Sequence, residues 1–148
     1  MASPRRQGRE VALQIVCAAD SSPAPDASAA LELYFSQLAG DDEADMPGKE
    51  ALDRPFVDAL VRATLDNRNQ VDAAITQVSR SWRIDRMALV DRNILRLAVA
   101  EMLHLPEVPA RVSINEAVEL AKRFGAAESP AFVNGLLDSA IKALEIRK

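Results

Sequence analysis

VPARVSINEAVELAKRFGAAESPAFVNGLLD, residues 108–138, holds two helical patterns joined by one short turn. From 112 to 122 the apolar residues Ile114, Ala117, Val118 and Ala121 recur at three- and four-residue spacing. Glu116, Glu119 and Lys122 fall between them, so one helix face is buried and the other is wet. Two starts fit the pattern. Pro109 can be the first helical residue, where its missing N–H costs nothing, or Ser113 can cap the helix and close a Ser-x-x-Glu box with Glu116. Gly125 follows the last periodic residue, Phe124, at the place where a left-handed residue ends a helix. The second pattern restarts with Ser129 as N-cap and Pro130 as first residue, and Val133, Leu136, Leu137, Ala140, Ile141 and Leu144 mark its buried face. Gly135 lies inside it at a cost of about 1 kcal/mol relative to Ala, which points to close packing against another helix.

Working upstream, residues 87–105 form the most hydrophobic pattern, with Val90, Ile94, Leu95, Leu97, Ala98, Val99 and Met102 around much of a helix. This predicts the central helix of the second half. Glu101 falls on its apolar stripe, and a buried carboxylate needs a partner, expected from the Arg96 side or from backbone donors of the next helix. Further patterns cover 5–20, 27–39, 52–67 and 71–81, with Pro55 tolerable in a first turn. The stretch 40–48, GDDEADMPG, reads as an acidic surface loop. Trp82, the one tryptophan, is expected to pin the turn after residue 81 to the core rather than to stack on a base. Strand-like alternation never persists for six residues, so the chain reads as all-α.

Composition sets bounds on function. The chain has 148 residues, 49% hydrophobic and 27% charged, enough for a real core. No run approaches the ~20 apolar residues of a membrane span and the start, MASPRRQGRE, lacks a signal-peptide core, so a cytoplasmic protein is expected. A single cysteine, Cys17, and a single histidine, His104, offer neither an internal disulfide nor a zinc cluster. No cofactor is implied. The net charge is −4, yet residues 20–58 hold 10 acidic and 2 basic residues, leaving the remainder with a balance of +4. A modest basic patch for nucleic acid therefore remains open. There is no Gly-rich phosphate cradle and no nucleophile with a base in sequence reach, so binding is favoured over catalysis.

INEAVELAKRFG (114–125), ES (128–129) and FVNGLLD (132–138), preceded by DRNILRLAVAE (91–101), resemble in order and spacing the NusB family of bacterial transcription antitermination factors. The likeness runs from about Arg5 to about Ile141. It implies two small helical bundles packed together, about seven helices, with an N-terminal part of about 1–68 and a C-terminal part of about 69–148. It also implies a non-enzymatic, RNA-binding protein that pairs with NusE, a small-subunit ribosomal protein. The pair would bind the boxA element of nascent RNA and act on the RNA polymerase antitermination complex. A homodimer is a further state found in the family.

Site residues follow from residue chemistry and from the resemblance together. Arg5, Arg6 and Arg9 sit at a helix N-terminus, where cations are disfavoured, so they are either a frayed, solvated end or a phosphate-contacting arm. The resemblance favours the arm. Arg111 and Lys122 add cations, and Phe132 is either core or a face on which a base stacks. By resemblance Glu128 stands beside the RNA site as an electrostatic brake, and Asp91 contacts NusE. Cys17 stands where some relatives carry an aromatic ring, and Gln7 and Gly8 interrupt the basic start. Two rivals are an adaptor without RNA recognition and the detached RNA-binding domain of a ribosomal RNA cytosine methyltransferase.

Overall fold

Seven α-helices and a one-turn 3-10 helix, Ile84–Arg86, make up the described residues of the computed structural model, 4–40 and 52–144, and no strand occurs among them. The helices are α1 (Pro4–Ala18), α2 (Ala27–Gly40), α3 (Arg54–Leu65), α4 (Arg68–Val78), α5 (Leu89–His104), α6 (Ala110–Phe124) and α7 (Ser129–Ala143). The acidic loop read at 40–48 falls, from residue 41 on, outside the described residues.

The hydrophobic run in α5 makes it the centre of the molecule. Every residue from 93 to 102 is buried, and α5 packs against α1, α3, α4, α6 and α7. Its own Ile94 and Leu95, with Ile114 of α6 and Leu137 of α7, are fully enclosed, each such side chain contributing about 1.5–3 kcal/mol of apolar burial. On the other side α1 lies close on α3, because a Cβ at Gly8 would stand 3.2 Å from the Phe56 ring and 3.3 Å from Val57. Asp53 caps α3 by accepting from the Phe56 N–H at 3.1 Å, and Pro55 lies in its first turn.

The α6–α7 hairpin forms as its periodicity predicts, but its punctuation differs. Helix α6 begins at Ala110 with Pro109 just ahead of it, and neither expected start holds. Ser113 is inside the helix and buried, its hydroxyl donating to Glu101 at 2.7 Å. Gly125 has φ −94° and ψ −171°, an extended and not a left-handed conformation. Glycine is needed there for space: a Cβ would come within 2.7 Å of Ser129 and 2.9 Å of the Ala121 carbonyl. Ser129 is the first residue of α7, and its Oγ accepts from the Ala126 N–H at 2.9 Å, closing the turn.

Gly135 also departs from expectation, since nothing lies within 4 Å of where its Cβ would be. No packing explains it. Gly135→Ala is therefore expected to raise stability by about 0.5–1 kcal/mol through helix propensity. The check is the urea midpoint at unchanged slope, and a lowered midpoint would contradict the open space around this residue.

Candidate nucleic-acid interface

The three arginines of α1 have three different fates. Arg5 is exposed, 4.8 Å from the centre of the Phe56 ring and 3.9 Å from Asp53. Arg6 is exposed and donates through Nε and Nη2 to both oxygens of Glu116 on α6, at 3.0 and 3.1 Å. That carboxylate raises the already high pKa of Arg6. Arg9 faces inward with 7% of its side chain exposed, and its fork closes on Glu101 of α5 at 3.0 and 2.7 Å. Arg9 is thus the partner that the buried Glu101 requires, together with Ser113. The expectation that Arg96 serves Glu101 is corrected: Arg96 turns to Asp72 and Asp20. Arg9 is not presented to a phosphate, and the expected arm reduces on this surface to Arg5 and Arg6.

Between α1 and α6 lies an open cleft of about 420 Å³, lined by Arg6, Glu10, Glu116, Glu119, Lys122 and Arg123. Its cations are matched by carboxylates. Arg123 donates to Glu10 at 2.5 Å and Lys122 to Glu119 at 3.2 Å. On the neighbouring helix face Arg111 donates to Asp138 of α7 at 2.7 Å, with both side chains substantially exposed. Such pairs contribute little to stability, about 0–1 kcal/mol each, so a phosphate can replace the carboxylate partner at small cost. The cleft is a cationic surface already neutralised from within.

Phe132, in the first turn of α7, is half-buried against the core and meets Trp82 edge to face, ring centroids 6.2 Å apart at 82°. Phe132 thus packs on the core as one of its two readings has it, and also meets the ring of Trp82. The expectation for Trp82 does not survive. It is 59% exposed, while Met87, just past the 3-10 turn, is buried. The run SRSWRIDR places this ring among three arginines within seven residues. Glu128 is exposed and precedes α7, where the helix dipole favours a carboxylate. Asp91 is half-buried in the first turn of α5, some distance along the chain from the cations. The candidate RNA residues therefore share α1, α6 and the start of α7, while Asp91 belongs to another element.

Cys17 is half-buried beside the core, and burial, with Asp20 nearby, pushes its thiol pKa up. It is a packing residue and a poor nucleophile. His104 pairs with Gln70 at 2.7 Å. Among the described residues no group of three or more His, Cys, Asp or Glu side chains could hold a metal ion, and no helix is long and apolar enough to cross a membrane.

Comparison with known proteins places this architecture. The NusB family profile matches residues 6–142. The transcription antitermination protein NusB of Geobacter sulfurreducens is 46% identical over 140 residues, covering 95% of each chain. That of Myxococcus xanthus is 44% identical over 140 residues, covering 95% of this chain and 96% of its own. Among solved structures, T. maritima NusB superposes with a TM-score of 0.75 at 32% identity, covering 96% of this chain and 93% of its own. A structure of the antitermination factors NusB and NusE in complex with double-stranded RNA gives 0.75 at 26% identity, covering 97% and 99%. A matched profile over nearly the whole length, relatives above 40% identity and a shared seven-helix fold lead to one conclusion: the chain belongs to the NusB family.

Proposed function

We propose that this chain is an RNA-binding transcription antitermination factor that pairs with NusE to bind boxA RNA and keeps RNA polymerase transcribing through terminators, with no catalysis of its own. The observation that carries the reading is the likeness, over 97% of this chain, to a protein solved with NusE and RNA. The surface chemistry supports it. Exposed Arg5, Arg6, Arg111 and Lys122 offer cations, each in an ion pair with a carboxylate that keeps some solvent exposure, and Phe132 offers an aromatic ring in contact with Trp82. Single-stranded RNA takes both kinds of contact. Glu128 is the brake on that surface, and Asp91 is the contact for the basic partner protein. Action in the cytoplasm, in two helical halves meeting near residue 68, belongs to the same reading.

Anisotropy of a labelled boxA RNA, with and without NusE and at several salt concentrations, tests it. Sequence-selective binding that NusE strengthens is expected. Each phosphate contact contributes about 0.7 to the slope of log affinity against log salt for a single strand. Replacing Arg5 and Arg6 together with Ala should therefore lower that slope by up to about 1.4. Binding no tighter than to a scrambled RNA, with NusE bound, would make the protein an adaptor without RNA recognition.

A further inference from the structure

We propose that Trp82, braced by Phe132, is a second base-stacking platform for single-stranded RNA, and that Arg80, Arg83 and Arg86 carry the RNA backbone past it; this rests on the RNA-binding reading above. The turn that presents the ring is built, not loose. The Trp82 N–H donates to the Ser79 carbonyl at 3.1 Å, Arg86 N–H to Arg83 at 3.0 Å and Met87 N–H to Ile84 at 3.3 Å. Met87 is buried and Ile84 half-buried, so the segment is anchored at its far end. The edge-to-face contact with Phe132 fixes the indole from one side and leaves more than half of it in solvent. A fixed, exposed aromatic face is what an unstacked base needs, and it makes no demand on base identity.

Charge separates this patch from the cleft between α1 and α6. In the cleft Arg6, Lys122 and Arg123 each face a carboxylate. Along 80–86 the one ion pair among the described residues is Arg83 with Asp85 at 3.2 Å, with side chains 74% and 63% exposed. Arg80 and Arg86 are exposed and enter no ion pair among the described residues. Arginines that enter no ion pair among the described residues therefore stand before and after the ring in sequence. A basic, aromatic turn is complementary to a polyanion with stacking bases, and repels the basic partner expected at Asp91. Phe132 links the patch to the interface proposed above, since it is one of that interface's candidate residues and its ring meets Trp82. The proposed RNA path thus runs from the start of α7 onto the turn before α5.

Trp82 is the only tryptophan of the chain, so its emission reports on this one position. The full chain is titrated with single-stranded boxA RNA, alone and with NusE, following RNA anisotropy, tryptophan emission and acrylamide quenching together; a Trp82→Phe chain serves as blank for any tryptophan of NusE. The expected result is quenched and shielded emission in step with anisotropy. Trp82→Ala should weaken RNA binding roughly 5- to 100-fold, Trp82→Phe should keep most of the affinity, and Arg80→Ala with Arg86→Ala should lower the salt slope by about 1.4. Thermal melts of Trp82→Ala matching the wild type within a few degrees confirm that the fold persists. RNA bound with Trp82 emission unchanged and Trp82→Ala binding like wild type would overturn the platform while leaving the RNA reading intact. Shielding by NusE alone, with no further change on adding RNA, would make the ring a protein contact and overturn it too. Absence of any RNA binding would remove both proposals at once.

Discussion

Arg9→Ala is expected to lower the unfolding free energy by about 3–5 kcal/mol, the cost of leaving a buried carboxylate without its partner. The side chains of Arg9 and Glu101 are 7% and 2% exposed, and two N–H···O contacts at 3.0 and 2.7 Å join them across 92 residues of chain. Ser113 gives Glu101 one further donor at 2.7 Å, which a lone hydroxyl cannot make sufficient. The pair ties α1 to α5 and α6, so its loss weakens three helices together. Urea unfolding measures the effect as a fall in midpoint with little change in slope. The double variant Arg9→Met with Glu101→Leu should recover much of the loss, because buried ion pairs replaced by apolar side chains of similar size are often neutral. The salt slope of RNA binding, measured where Arg9→Ala is still folded, should match the wild type. A stability loss under about 1 kcal/mol, or a slope reduced by a phosphate's worth, would return Arg9 to the surface arm.

Arg9 also shows where sequence reasoning ends. The three- and four-residue spacing in 112–122 and 133–144 identifies which faces are buried, and α6 and α7 form on those faces. Spacing is a local property, and it names a buried Glu101 without naming its partner. That partner is 92 residues away, just as the carboxylate that holds Arg6 is 110 away and the one that holds Arg123 is 113 away. A run of arginines therefore looks the same in sequence whether it is presented to solvent or folded inward. Helix ends fail for a related reason. Ser113, Glu116 and Ser129 have the residue types of caps, but Glu101, Arg6 and the Ala126 N–H compete for the same groups and win. Trp82 has the residue type of a core side chain, yet the turn leaves it 59% exposed while Met87 a few residues on is buried. The arginines and aromatic residues of the candidate interface were legible in the sequence; which of those cations face carboxylates was not.

Asp20→Ala is expected to cost about 3 kcal/mol, because Asp20 is the acceptor for three side chains of α5. Its carboxylate takes two N–H groups from Arg92, through Nε at 2.9 Å and through a short contact to Nη2. It also accepts from Arg96 Nη1 at 2.8 Å and Asn93 Nδ2 at 2.9 Å. The same turn is held from α4, where Arg68 donates to the carbonyls of Ser22 at 2.7 Å and Asp20 at 3.0 Å. Arg96 keeps Asp72 after the substitution, at 2.8 and 3.1 Å, which places the cost at the lower end for a broken buried pair. Arg92, assisted by Asn93 and Arg96, holds the Asp20 carboxyl well below the usual carboxylate range, outweighing the upward push of burial. A folded-state pKa depressed below an unfolded value near 3.9 gives stability that is fully present above that value and lost as the pH falls through the folded one. The difference between wild type and Asp20→Asn should therefore be constant from about pH 7 to pH 5 and shrink below about pH 4. Urea titrations across that range measure it. A difference that stays level to pH 3 would mean that Asp20 holds α4 and α5 by shape and hydrogen bonding alone, and not by its charge.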